Sequence, residues 1–418
     1  MKLRNICKIV TDSINPKKQK NKLFELYSLP AFDDFKRPEN VYGSDIESNK
    51  YLVPEKTILF NKLNVRFKRI WRITNNNQDN KICSTEFLPI IVDEKIADFD
   101  YVYFLLMSDQ VTEYLCAPTT NTSGSHKRID PDFLLDMEIS LPELDEQVRV
   151  ARKLKTLDDE VQCCFDFETK SFKFLKDTYD YWFVSYNFPN NNGDAYSENG
   201  GTFVEDKETG INYPTKWSFN KIGQYFNVVR GVSYKPEDTS EIETDIHMPL
   251  LRSNNIYDER LIHEDIVFVD KKRVSEEQIL HANDVFICMS NGSKNLIGKN
   301  TIIPYDTEYA FGAFCAKIKN IDCDYLGFIN LFFKSNYYKA YIAQICANTS
   351  INNIGNEMLT DLKYPLPPLN IAKKFNEIYL KVMSEVGNAH KFMLSTRTLL
   401  EKHIFMDMNG VLINSSED

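Results

Sequence analysis

The feature that most constrains this 418-residue chain is an internal repeat. At a shift of 225 residues, Leu141-Pro142-Glu143-Leu144 meets Leu366-Pro367-Pro368-Leu369, and Ile129, Leu134 and Asp136 meet Ile354, Leu359 and Asp361. The starts of the halves correspond more loosely. Leu3-x-x-Ile6-x-x-Ile9-Val10 matches Ile222-x-x-Tyr225-x-x-Val228-Val229, with Pro16 and Pro236 a few residues on. Two copies of one plan follow, each a mixed region and then a proline-marked helix.

Alternating steps of three and four from Leu144 reach Gln147, Ala151, Leu154, Asp158, Val161, Phe165, Glu168, Phe172, Leu175, Tyr179 and Trp182, and nine of these twelve positions are apolar. The same steps from Leu369 reach Ala372, Asn376, Tyr379, Met383, Val386, His390, Met393, Arg397, Leu400, Ile404 and Asp407, with eight of twelve apolar. Such spacing predicts a narrow apolar seam on each of two helices of about 40 residues, roughly 60 Å long. A seam of that length needs a partner helix, and the matched lengths make the other copy the natural one. The expected seam contacts are Leu154, Val161, Phe165, Phe172 and Leu175 against Tyr379, Met383, Val386, Met393 and Leu400.

The regions before the helices read as mixed α/β, or α+β, modules. Thr57–Phe60, Ile266–Val269 and Asp284–Cys288 are short β-branched or aromatic runs that predict strands. Phe104–Met107 and Phe328–Ala347 read as helical, and the Asn- and Gly-rich stretch Asn187–Pro214 reads as a linker.

Chemistry is sparse. There is no G-x-G-x-x-G and no H-E-x-x-H. Gly292 to Asn300 imitates a phosphate loop, but five residues separate its glycines and Asn300 stands where a Ser or Thr would hold magnesium. The six histidines (126, 247, 263, 281, 390 and 403) do not fall at metal-ligand spacings, and a polar register-setting role suits His390 on its seam. Asp132 with Glu138 is a weak carboxylate pair, because Ser140 occupies the position of a nuclease lysine. No Asn-Pro-Pro-aromatic methyltransferase tetrapeptide is present. Nine irregularly spaced cysteines without a C-x-x-C fit reduced thiols rather than a disulfide framework. With no signal-like start and no apolar run near 20 residues, a cytoplasmic chain with no membrane partner is expected.

The net charge of −10 argues against coating nucleic acid by bulk charge, yet the basic residues are clustered. Residues 1–22 carry seven Lys or Arg against Asp12 alone, including Lys17 and Lys18. Lys62, Asn64, Arg66, Arg69 and Arg72 interleave with Phe67 and Trp71. The second half offers Lys235, Arg252, Asn254, Asn291, Ser293 and Lys294. Arg and Lys suit phosphates and guanine edges, and Asn suits adenine, so these are the candidate DNA-binding residues.

The passage Tyr181-Trp182-Phe183-Val184-Ser185-Tyr186-Asn187-Phe188-Pro189, then Asn192-Gly193, Gly200-Gly201 and Tyr213-Pro214-x-x-Trp217, resembles the specificity (S, or HsdS) subunits of type I restriction-modification systems. Asn49-Lys50-Tyr51-Leu52-Val53-Pro54 and Leu251-Arg252-Ser253-Asn254-Asn255-Ile256 are similar to segments of the family's recognition domains, as is the Leu-Pro-x-Leu helix entry with Glu146-Gln147-x-Arg149. The second copy departs from it, with Asn370-Ile371-Ala372 where the first has Asp145-Glu146-Gln147.

The resemblance implies two target recognition domains, at 1–138 and 217–362, and two conserved helices, at 139–186 and 363–408, forming an antiparallel coiled coil. A linker at 187–216 and a tail at 409–418 complete the plan. It implies a non-catalytic subunit that reads a split site on double-stranded DNA. Two modification (methyltransferase) subunits would carry S-adenosylmethionine, and restriction subunits would carry ATP and Mg. The alternative is a coiled-coil scaffold whose modules bind protein.

Overall fold

The computed structural model describes residues 1–74, 80–117, 128–257, 260–263, 265–348 and 353–412. His126 and most of the 409–418 tail lie outside the described residues. The chain divides into two compact units, Met1–Gln162 with Leu394–Asp418, and Cys163–Met393.

The first unit carries a four-stranded antiparallel sheet in the order Cys7–Ile9, Phe87–Val92, Thr57–Asn61, Ile70–Ile73. Thr57–Asn61 is buried along its whole length, which is why its run is continuously apolar rather than alternating. A five-stranded sheet runs Ser13–Ile14, Lys50–Leu52, Lys81–Cys83, Leu23–Tyr27, Glu39–Tyr42, with Lys81–Cys83 parallel to Leu23–Tyr27. Helices Phe99–Met107 and Asp109–Cys116 follow, each started by a side-chain cap, Asp98 and Ser108.

The second unit repeats this plan. Its antiparallel sheet runs Phe226–Arg230, Cys315–Asn320, Val285–Cys288, Asn300–Ile302. The other sheet runs Thr239–Ser240, Val267–Asp270, His247–Leu251, Ala310–Phe311, again with one parallel pair. Helices Leu326–Phe332 and Asn336–Asn348 follow. The strands expected at 57–60, 266–269 and 284–288 are present, the second starting at Val267.

The long helices span Leu144–Tyr179 and Leu369–Met408, and the first ends in a wider π turn at Asp180–Val184. In the first unit, Leu154 shares one core with Leu400, Ile404 and Met408, and Lys153 pairs with Asp407. In the second unit, Tyr179 and Phe183 stand 6.1 and 4.8 Å from Phe375, and Glu168 meets His390. Within each unit, therefore, one helix rises as the other descends. Of the ten expected seam residues, Leu154, Leu175, Tyr379, Met383, Val386 and Leu400 are buried. Val161, Phe165, Phe172 and Met393 are half-buried.

The Asn- and Gly-rich stretch is more than a tether. Phe203–Glu205 and Asn212–Pro214 form a hairpin, and Phe188 stacks on Tyr196 at 4.7 Å and packs on Trp217 at 5.4 Å. Gly193 and Gly200 take φ of 90° and 81°, so the small residues supply turns while the interspersed aromatics anchor the segment to the core.

Candidate nucleic-acid interface

The basic residues of the first unit fall into two groups. Lys2 and Arg4 are held by Asp136, at 3.2 and 2.8 Å, and Asp132 holds Arg4 as well. That places Asp132 in an ion-pair role, while Glu138 bridges the main chain of Lys2. Lys17 pairs with Glu47, and Lys18 beside it is exposed in the turn Pro16–Gln19.

The second group lies on the turn that leaves strand Thr57–Asn61. Asn64 and Lys68 both adopt left-handed φ, 52° and 47°, an uncommon conformation for residues other than glycine. Asn61 stabilises the turn's start, its Nδ2 donating to the Leu63 carbonyl and its Oδ1 accepting from the Leu63 N–H. Lys68 fastens the far side to Asp109 at 2.5 Å, and Arg69 donates to both oxygens of Asp33 at 2.5 and 2.8 Å. Arg66 is exposed and its guanidinium lies 4.6 Å from the Phe67 ring centre, with Arg69 at 4.8 Å from the same ring. Lys62 is half-buried beside Glu86.

Arg72 has a different setting. Its guanidinium meets Asp159 at 2.7 Å and Asp100 and Asp158 at 3.3 Å, with the side chain only 14% exposed. It fastens strand Ile70–Ile73 to the first long helix, and burial raises the Asp158 carboxyl above the usual range.

Glu86 and Arg128 are not singled out by sequence spacing. The Arg128 guanidinium donates through Nε and Nη2 to the two Glu86 oxygens, both at 2.8 Å. Those hydrogen bonds hold the Glu86 carboxyl below its ordinary pKa. Because the folded value is depressed, the pair's stabilisation is complete above the ordinary glutamate range and is lost as pH falls through the folded value. The pair is therefore intact at neutral pH.

In the second unit the candidate cations largely serve main-chain carbonyls. Arg252 Nη2 donates to Asp265 O, and Lys294 Nζ to Cys346 O in the last turn of helix Asn336–Asn348, each at 2.7 Å. Lys299 Nζ donates to Ile256 O at 2.7 Å, and burial lowers its pKa. Asn291 Nδ2 donates to Ser253 Oγ at 3.2 Å, while its Oδ1 accepts from the Ser293 N–H at 2.9 Å. Asn254 and Ser293 are exposed, and Lys235 is exposed beside Glu237 at 3.5 Å. Asn291, Ser293 and Lys294 are thus brought together with Ser253 and the helix end, whereas Lys235 stands on a separate turn, Pro236–Asp238. Among the described residues, no group of three or more His, Cys, Asp or Glu is placed to hold a metal, and no helix is long and apolar enough to cross a membrane.

The two turns are equivalent in the main chain. The Lys62 N–H donates to Glu86 O and the Lys62 carbonyl accepts from Ile129, both at 3.0 Å. Likewise the Met289 N–H donates to Phe314 O at 2.9 Å and its carbonyl accepts from Ile354 at 2.8 Å. The isolated bridge Leu63 to Arg128 recurs as Ser290 to Asn353. The shift is 225 residues at Arg128 but 228 at Glu86, so a fixed offset read along the sequence misses the second match.

Residues 1–163 match the family described as Type I restriction modification DNA specificity domain. Over 175 residues the chain is 34% identical to the type I restriction enzyme EcoKI specificity subunit of Escherichia coli (strain K12), a stretch that is 41% of this chain and 38% of that protein. It is 32% identical over 175 residues to the StySPI specificity subunit of Salmonella potsdam, with the same shares. The match thus spans 38% of the length of these relatives. The solved S subunit of the type I restriction-modification system of M. genitalium shares the fold, with a TM-score of 0.54 at 13% identity over 97% of this chain and 94% of that one.

Proposed function

We propose that this chain, which belongs through residues 1–163 to the type I restriction-modification DNA specificity family, is a DNA-recognition subunit whose two units each read one half of a split site. The observation that carries this reading is the repeated module, in which the same strand opens onto the same main-chain turn in both units. A twofold plan of this kind suits two half-sites on one duplex.

The two long helices set the number of unread base pairs between the halves and dock two modification subunits. In the first unit a groove of about 450 Å³ along both helices, lined by Arg149, Arg152, Lys153, Leu157, Leu399 and His403, supports a docking role. Methyl transfer from S-adenosylmethionine to adenine belongs to the modification subunits. ATP- and Mg-dependent translocation and cleavage belong to the restriction subunits. The chain described here contributes address rather than chemistry, and it acts in the cytoplasm.

Lys18, Lys62 and Arg66 are the proposed phosphate contacts of the first unit, and Asn254, Asn291 and Ser293 the polar contacts of the second. Arg72 is left out because three carboxylates already satisfy its guanidinium. A net charge of −10 is compatible with this role because only the face toward DNA must be basic.

Binding should be strongly salt-sensitive. With 6–10 phosphates contacted, affinity for a duplex carrying the site falls roughly 10³- to 10⁵-fold between about 50 and 200 mM salt. Measured on the chain bound to its modification subunits, Lys62→Ala and Lys18→Ala should each weaken binding across sequences and reduce the log–log salt slope by about 1. A slope unchanged in both variants would remove these residues from the interface.

A further inference from the structure

One place in the repeat keeps its main chain and changes its chemistry. In the first unit the position is held by Lys62, Glu86 and Arg128, with Arg128 clamped in the plane of the Glu86 carboxylate by two 2.8 Å hydrogen bonds. The Arg128 side chain is nonetheless 54% exposed. In the second unit the equivalent residues are Met289, Phe314 and Asn353. Met289 is fully buried, and Phe314 is 72% exposed, the highest value among the exposed large apolar side chains.

A lone exposed apolar residue is ordinary on a protein surface. Phe314 differs because its main chain is fixed on every side. Its carbonyl accepts from both Met289 and Ser290, at 2.9 and 3.0 Å, and the next residue, Cys315, donates to Gly312 O at 2.8 Å. Gly231 lets the neighbouring chain approach this turn, since a Cβ there would stand 2.3 Å from the Gly312 carbonyl oxygen. Asn291 and Ser293 follow directly on the facing turn. The ring is thus an exposed apolar group on a rigid mount beside hydrogen-bonding side chains.

From this equivalence we infer that the turn is the base-reading position of both units, carrying a polar reader, Arg128, in the first and an apolar reader, Phe314, in the second. The inference rests on the DNA-recognition reading above and assigns the residues that make each half-site different. An oriented guanidinium presents paired donors to the O6 and N7 acceptors of guanine in the major groove. A phenyl ring offers no hydrogen bond and favours the thymine methyl group, which a cytosine lacks. Lys62 adds a phosphate contact beside Arg128, while Met289 supports the ring of the second unit from within the core.

The test is selection from a pool of randomised duplexes by the full chain bound to its modification subunits. The wild type should enrich a gapped motif. Arg128→Ala should relax discrimination at a guanine of one half-site by roughly 5- to 150-fold and leave the other half intact. Phe314→Ala should relax a thymine of the other half by roughly fourfold, the worth of one methyl group. Phe314→Glu combined with Asn353→Arg transplants the first unit's pair and should turn that thymine preference toward guanine. Since all three side chains are exposed, melting temperatures should stay near the wild type. Unchanged half-sites in all variants, or changes in both halves from either single variant, would overturn the inference alone. A wild-type complex that enriches no gapped motif would overturn the DNA-recognition reading itself.

Discussion

Leu154→Lys is expected to abolish cooperative packing of the first unit. Leu154 is fully buried on the first long helix in one core with Leu400, Ile404 and Met408 of the second. Truncation to alanine alone costs about 2–5 kcal/mol. A lysine adds the desolvation of an unpaired ammonium, several kcal/mol more. Together these consume most of the roughly 5–15 kcal/mol that stabilises a typical domain. Hydrogen exchange on the full chain should show residues 144–162 and 394–408 losing protection together, with Leu154→Ala intermediate. Protection equal to the wild type in Leu154→Lys would mean that the helices do not share a core there.

The second large effect concerns the polar position on the seam of the second unit. His390 Nδ1 lies 2.7 Å from Glu168 Oε1, with side chains 5% and 7% exposed. His263 Nε2 is 3.3 Å from His390 Nε2, and the Tyr305 ring centre is 5.2 Å away. His390→Leu leaves the Glu168 carboxylate buried without that partner, which should cost about 3–5 kcal/mol. The double replacement Glu168→Leu with His390→Leu removes both needs at once and should recover most of that loss. Urea unfolding followed by exchange within Cys163–Met393 measures the difference as a double-mutant cycle. If the double variant is as unstable as the sum of the singles, the pair is not coupled. A buried polar pair at one seam position is a recognised means of fixing helix register, which gives the contact a structural purpose.

The helices and their register are legible because side-chain period and proline position are local properties of the chain. Leu144–Tyr179 and Leu369–Met408 begin where Leu144 and Leu369 restart the apolar spacing, and the polar members Glu168 and His390 stand on the same steps. The strands at Thr57–Asn61 and Val285–Cys288 are legible for the same reason.

The interface is less legible, because what a basic residue does depends on carboxylates and carbonyls far away in sequence. Arg72 reads as one of a basic cluster, yet its partner Asp159 is 87 residues on. Lys294 reads as free, yet the carbonyl it serves is 52 residues on. Phe314 carries no basic or polar signal, and its equivalence to Glu86 appears only through the shared hydrogen bond to the strand-exit turn. Insertions move the repeat from a shift of 225 to one of 228 between those points, so the match is spatial before it is sequential.

The claim that two similar modules address two half-sites is tested most directly by an adenine-methylation map. The chain is co-expressed with the modification subunit from its own operon in a host free of adenine methylation, and the host DNA is sequenced by a method that reports methyladenine. The account predicts one split motif with a fixed gap, absent when this chain is omitted. A continuous motif, or methylation that does not depend on this chain, would contradict it.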